Sequence, residues 1–251
     1  MITPANSPSR IARGGKAIYG APLGILMLEA RFPRIPGDMG NAGTWPFPVL
    51  CRVVRGATPV CWTTSWPPPN WCATARRDHH QRGFLSLFQA ELAAHVRVPG
   101  AISALIQVPW VQAMLPPGRR VGIITVSAGS LTPRHLSAAG VPPDTPYVGT
   151  EDGREFFRVL VRGEKQDMDV ALAAADILDA GRTLVARHGD IGAIVLECTN
   201  MPPYAFALRE ALGLPVYDIY SLITWLHAGL RPREFGPPAD RATCFAVGDA
   251  G

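Results

Sequence analysis

IVLECTNMPPYAFALREALGLPVYD, residues 194–218, holds the reading on which the fold turns. Ile194 to Leu196 extend Gly192 and Ala193 into an unbroken apolar run, the pattern of a strand buried on both faces of a parallel sheet. Cys198 follows at its carboxyl end. Thr199 or Asn200 can cap a helix there, Pro202 or Pro203 suits its first turn, and Gly213 stops it. LPVYD then opens another strand–helix unit running to about Gly229. Ligands of open α/β sheets bind beyond the carboxyl ends of the strands, which is where Cys198 falls. A helix N-terminus beside it offers backbone N–H groups and partial positive charge. Both favour thiolate over thiol and can hold a carboxylate. Glu197 opposes this, although alternation along the strand points it to the other face. The plain alternative for Cys198 is a buried, inert thiol.

Working outward, DMDVALAAADILDAGRTLVARHG (167–189) reads as a long amphipathic helix, with Asp167 as its cap and Gly181 as a weak point in its continuity. RVGIITV (120–126) is a second buried strand, and SAGSLTPRHLSAAG after it is a loop and short helix ended by Gly140. GFLSLFQAELAAHV (83–96) has helical periodicity, with Phe84, Leu87, Phe88 and Leu92 on one face. LGILML (23–28) is a third buried strand. It leads into EARFPRIPGDMGNAGTWPFPV, a Gly/Pro-rich stretch too long for a simple connector and of the kind that carries function. Strands alternating with helices at this spacing predict an α/β fold with parallel sheets.

Composition narrows the function classes. With 47% hydrophobic and 18% charged residues the chain is of ordinary globular type. The net charge of +4 is scattered along the sequence, which argues against nucleic acid as partner. Five cysteines do not make a disulfide framework, and a reducing cytoplasm is the default expectation. MITPANSPSRIARGGKAIYG has no apolar core of signal-peptide length, and the apolar runs are too short to span a membrane. There is no Gly-rich phosphate loop or dinucleotide fingerprint, and no Gly-x-Ser-x-Gly elbow.

CWTTSWPPPNWCATARRDHHQR (61–82) breaks the pattern. Read as a metal loop it fails, because adjacent His79 and His80 diverge and no spaced Cys/His set completes a site. Back-translation offers another reading. Taken from the third base of the Val60 codon, residues 60–75 can encode Leu-Leu-Asp-Asp-Phe-Val-Ala-Ala-Ala-Gln-Leu-Val-Arg-Asp-Gly, an amphipathic helix with a Gly stop. Taken from the second base, Asp78 to Gln81 can encode Ile-Thr-Thr-Ser, and Arg82 fits a Cys codon that has lost its first base. GC-rich codons are expected here, since Lys16 and Lys165 are the only lysines among 24 basic residues. Residues 60–82 thus read as a segment displaced from frame by single-base losses. An ordinary Pro/Trp-rich loop is the competing reading.

ECTNMPPYAFALREALGLPV resembles the second cysteine motif of the aspartate/glutamate racemase superfamily, in which a strand ends in Gly-Cys-Thr and a helix follows. RRVGIITVSAGSLTPRHL is similar to the strand that opens that superfamily's second lobe. The recovered Ile-Thr-Thr-Ser, a Cys at position 82 and GFLSLFQAEL would match the first motif. The resemblance spans roughly residues 22–230. It implies two pseudo-symmetric doubly wound α/β lobes with an active-site cleft between them. The first lobe would be residues 1–117, completed by 216–251, and the second 118–215. It also implies cofactor-independent proton transfer at an α-carbon next to a carboxylate, with one Cys from each lobe on either face of that carbon. An unperturbed thiol near ~8.5 needs only modest tuning for such work.

The chain departs from that pattern at two positions. Arg82 stands where the first Cys belongs, leaving Cys198 as the one acid/base as written, and Asn200 stands where His is common. The resemblance makes Thr199, Asn200 and Gly83 substrate contacts. It adds Asp38 and Asn41 of PGDMGNAG, although turn residues satisfying their own backbone read equally well. Ser127 and Ser130 after the second-lobe strand can bind a carboxylate. Cys51 reads as a strand or core residue. The expected activity is that of an amino-acid racemase acting on aspartate- or glutamate-type substrates, without metal or cofactor, whose partner is a small carboxylate. A one-thiol decarboxylase or cis–trans isomerase of a small diacid, or a non-catalytic carboxylate binder, are the alternatives, and homo-oligomerisation is left open. Trp45, Phe47 and Phe84 point to a substrate larger or less charged than glutamate. Resequencing the gene is expected to restore three bases within codons 60–82; an unbroken, well-supported frame there overturns the displaced-frame reading.

Overall fold

The computed structural model describes residues 23–54 and 85–233. The segment 60–82, with Arg82, and the neighbouring Gly83 and Phe84 lie outside the described residues. Within them the chain is α/β with two parallel sheets, as the alternating pattern predicts. The smaller sheet pairs β1 (Leu23–Leu28) with β2 (Val49–Val54). The larger has β3 (Arg120–Ile124), β4 (Tyr147–Val148), β5 (Ile191–Leu196) and β6 (Val216–Tyr217) in the order β4-β3-β5-β6.

The helices are α1 (Gln89–His95), α2 (Val108–Met114), α3 (Pro133–Ala138), α4 (Val170–Arg187), α5 (Pro202–Leu212) and α6 (Ile219–Leu230). They cover both faces of the larger sheet, because alternate residues of β3 and β5 feed two cores. Val121, Ile123, Ala193 and Val195 pack with Leu105, Val108 of α2 and Leu222 of α6. Ile124, Ile194 and Leu196 pack with Ile177 and Leu184 of α4 and Leu208 of α5. Leu23, Ile25 and Met27 of β1 join the first of these cores, so the two sheets share apolar contacts.

Several details differ from the sequence expectation. Asp169, not Asp167, caps α4; its carboxylate accepts the N–H groups of Ala171 at 2.9 Å and Leu172 at 3.0 Å. Glu155 decides this start point by accepting the N–H of Asp169 at 2.6 Å. Gly181 does not interrupt the helix. It is a packing position: a Cβ there would lie 2.4 Å from Leu208 Cδ1, so glycine lets α4 and α5 cross closely. Cys51 lies on β2 but is exposed rather than in the core. Val216 and Tyr217 pair with β5, so the larger sheet extends past residue 215, where the sequence reading ended the second lobe. The two-residue strands and α2 carry no periodicity long enough to announce themselves. No helix among the described residues is long and apolar enough to cross a membrane.

Leu184 lies fully buried under the β3 glycine, where a Cβ on Gly122 would come within 2.7 Å of its Cδ2. Leu184→Ala is expected to lower stability by about 2–5 kcal/mol, measured from urea-unfolding midpoints, as the cavity between α4 and the sheet cannot collapse.

Candidate active site

β5 delivers Glu197 and Cys198 to the carboxyl edge of the larger sheet. The N–H of Glu197 still donates to Ile124 O at 2.9 Å, so the sheet ladder runs to the last residue before the cysteine. The chain then turns, with Met201 N donating to Cys198 O at 3.1 Å, and α5 starts at Pro202. Neither Thr199 nor Asn200 caps that helix. Met201 holds the cap position without a side-chain hydrogen bond, and its fully buried side chain anchors the turn in the core.

Asn200 is used elsewhere. Its Nδ2 donates to Asp38 Oδ2, across 162 positions of sequence, while its Oδ1 accepts from Cys198 Sγ at 3.5 Å. Asp38 is 2% exposed, and its Oδ1 accepts from Arg34 Nη1 at 3.0 Å and from Gly40 N at 2.7 Å. The loop after β1 is therefore folded onto the cysteine turn. Met39 N donates to Thr199 O at 3.3 Å, and Gly37, at φ +98°, sits so close to α5 that a Cβ would be 2.9 Å from Pro203 Cα. Only glycine satisfies both demands.

The loop is also tied to α6. Trp45 Nε1 donates to Met39 O at 3.1 Å, its ring stacks on Tyr220 with centroids 5.7 Å apart, and Phe47 stacks on His227 at 3.7 Å. Asn41 is committed within the loop: Nδ2 donates to Arg34 O at 2.7 Å and Oδ1 accepts from Gly43 N at 2.8 Å. That arrangement is a turn residue satisfying backbone, one of the two readings its sequence allowed.

The electrostatics differ from the sequence expectation. Cys198 is half-buried, and its thiol is pushed well above the usual range, first by burial and then by the Glu197 carboxylate; the backbone N–H of Asn200 works in the opposite direction. The expected preference for thiolate at the helix mouth is thus not met. Pro202 and Pro203 hold the first positions of α5 and have no N–H to offer, and Met201 spends its own on Cys198 O. Glu197 does point away from the thiol along the strand, into a buried position where it accepts from Thr125 Oγ1 at 3.0 Å. Burial pushes its carboxyl up to about 7, against the opposing hydrogen bond from Thr125.

Cys198, Thr199, Asn200 and Asp38 are thus brought together, with Asn41 in the same loop. Ser127 lies beyond the end of β3, 7% exposed, and its Oγ donates to Ser130 Oγ at 3.0 Å instead of joining that cluster. Arg82 and Gly83 lie outside the described residues. Arg34 and Thr125 went unnoticed in the sequence. Arg34 stands four residues before Asp38, a local signal; Thr125 faces Glu197 only because β3 pairs with β5 in the Ile124–Leu196 register.

No family model matches the chain. It is 30% identical over 220 residues to the "Dimethylsulfoniopropionate lyase" of Durusdinium sp. clade D, a match covering 80% of this chain and 72% of that protein. Dimethylsulfoniopropionate lyases 5 and 6 of Emiliania huxleyi (strain CCMP1516) are 28% and 30% identical over 228 and 221 residues, or 82% and 78% of this chain. The chain belongs to the dimethylsulfoniopropionate lyase family, a family of enzymes. It spans 45% and 56% of the two Emiliania proteins, about half their length. Two solved structures also align. Glutamate racemase RacE1 from Bacillus anthracis matches at 19% identity and TM-score 0.38, over 58% of this chain and 56% of its own. Allantoin racemase from Pseudomonas fluorescens matches at 15% identity and TM-score 0.40, over 72% and 79%. Both overlaps are too loose to transfer a site.

Glu197 makes a testable contribution to stability. Its pKa is raised on folding from 4.5 to about 7, so the native state binds the proton more tightly than the unfolded chain. That contribution is full below pH 4.5 and is lost as pH rises through about 7. Glu197→Gln is expected to flatten the stability profile over that window by on the order of 3 kcal/mol, read from urea midpoints at pH 5 and pH 8. Parallel profiles for the two proteins would contradict the assignment.

Proposed function

We propose that the chain is a cysteine-based lyase that removes the proton α to a carboxylate and expels a leaving group from the neighbouring carbon, with dimethylsulfoniopropionate as first candidate substrate. Cys198 is the acid/base. The observation that carries the reading is its position at the carboxyl edge of β5, under a loop that reaches it through Asp38 and Asn200, in a chain of this family. Thr199, Asn200 and Gly83 are proposed substrate contacts, with Asp38 behind Asn200, whereas Asn41 and Ser127 are engaged within their own loops. The site is proposed to lie between two lobes, the first completed by α6.

The chemistry fits one thiol. With the sulfonium on the β-carbon, the Cα–H proton passes to the Cys198 sulfur and its electron pair becomes the new C=C bond. The β-carbon–sulfur bond breaks with its pair leaving on sulfur. Products are acrylate, neutral dimethyl sulfide and one proton held by the thiol. Racemisation, by contrast, needs a second acid on the opposite face, and Arg82 stands where the resemblance puts it. The raised thiol is not an obstacle, since a sulfonium is a fixed cation, and bringing it beside the sulfur favours the thiolate. The resting thiol gives its proton to solvent as the substrate binds, and the thiolate so formed is the base that takes the Cα proton.

Racemisation is the second reading, favoured by the likeness of ECTNMPP and of the frame-restored Ile-Thr-Thr-Ser-Cys to the racemase motifs. Both readings begin with the same proton removal. Incubation with dimethylsulfoniopropionate should release dimethyl sulfide and acrylate, followed by headspace gas chromatography, and Cys198→Ala should reduce the rate by roughly 10²–10⁴-fold. Solvent deuterium appearing at the α-carbon of aspartate or glutamate, with no sulfide released, would favour racemisation instead. Both assays belong on this chain and on a frame-repaired Arg82→Cys protein. A Cys198→Ala variant that still turns over removes both readings.

A further inference from the structure

Resting on the assignment of Cys198 as acid/base, we infer that Asp38 is a positioning residue. It fixes the Asn200 amide with its oxygen toward the sulfur, so that Cys198 is held as a hydrogen-bond-donating thiol. The amide of Asn200 has two ends of nearly equal shape, one an acceptor and one a donor, and either could face the sulfur. Asp38 removes the choice. Asp38 is paired with Arg34 and accepts at both oxygens, so the nitrogen end of the amide faces its Oδ2 and the oxygen end is left for Cys198 Sγ, 3.5 Å away. Asp38 cannot turn aside to release the amide. It is buried, its other oxygen is held by Arg34 Nη1 and Gly40 N, and the loop is blocked by the approach of Gly37 to Pro203.

The result is a proton preference set by orientation. A thiol can donate to the Asn200 oxygen, whereas a thiolate would face the negative end of the amide dipole. The charged groups acting on the sulfur are Glu197 from β5 and Asp38 and Arg34 from the loop, with the Asn200 backbone N–H as a modest counterweight. Asp38 therefore acts through Asn200, keeping the sulfur in its unreactive form until a cationic substrate changes the balance.

The test reads Cys198 directly and needs no substrate. Alkylation of Cys198 by iodoacetamide is followed by peptide mass spectrometry across pH on the full chain, in wild type, Asp38→Asn, Asn200→Ala and the double variant, each checked for folding by circular dichroism. Asp38→Asn permits the amide to flip its NH2 toward sulfur, and Cys198 should alkylate about tenfold faster at pH 7. In the Asn200→Ala background the same substitution should change the rate by less than about twofold. Equal acceleration in both backgrounds would assign the effect to charge alone and overturn the inference, as would no acceleration in Asp38→Asn. Should Asp38→Asn fail to fold, the infrared difference between wild type and Cys198→Ala at pH 7 decides. An S–H stretching band lowered by hydrogen bonding supports the inference, and absence of any S–H band sinks it. A chain that releases no dimethyl sulfide yet shows the coupling loses the proposed reaction while the positioning stands.

Discussion

The adjacency of β3 and β5 at the centre of the larger sheet is the constraint from which the rest follows. Both strands are buried on both faces, so every side chain they carry is spoken for until the ladder ends. The first residues free to do something other than pack are those just past Ile124 and Leu196. Thr125 and Glu197 close over each other there, and Cys198 emerges beside them. Shifting β5 by one residue would send Glu197 to the side Cys198 occupies and would exchange the cores of α2 and α4. Placement of the thiol is thus enforced by the buried apolar packing of β3 and β5 more than by its own hydrogen bond to Asn200.

That enforced placement creates an electrostatic conflict. The Cys198 thiol sits partly buried next to a carboxyl that shares its burial, and both titrations are pushed upward. The prolines opening α5 deny the site part of the amide array that helix mouths normally present. What relieves the conflict in the proposed reaction is the charge of the substrate. A sulfonium brought beside the thiol favours its thiolate form, and the α-ammonium of an amino acid would act in the same direction.

The loop after β1 is the second architectural element of the site. Its Gly37 approach to α5, its Asp38 contact to Asn200 and its aromatic stack on α6 make it a fixed wall and not a tether. Asp38 in particular joins the β1 loop to the β5 turn, so the two sheets meet at the cysteine.

The sequence alone was enough to set β1, β3 and β5, the existence of the long helix though not its continuity across Gly181, and the strand-end position of Cys198, because each is written in local periodicity and turn chemistry. The family resemblance named Asp38, Thr199 and Asn200 among the candidate substrate contacts. It could not say how they meet. Asn200 reads locally as a helix cap, and only folding shows its amide engaged by a carboxylate far along the chain. Thr125 acquires a role only through strand register, and the cap of α4 moves to Asp169 because Glu155 reaches it from another segment. The protonation of Cys198 belongs wholly to the tertiary structure. It is set by burial, by Glu197 and Asp38, and against them by the Asn200 backbone N–H and Arg34, and the burial and the Asp38 and Arg34 contributions come into existence only when distant segments are packed together.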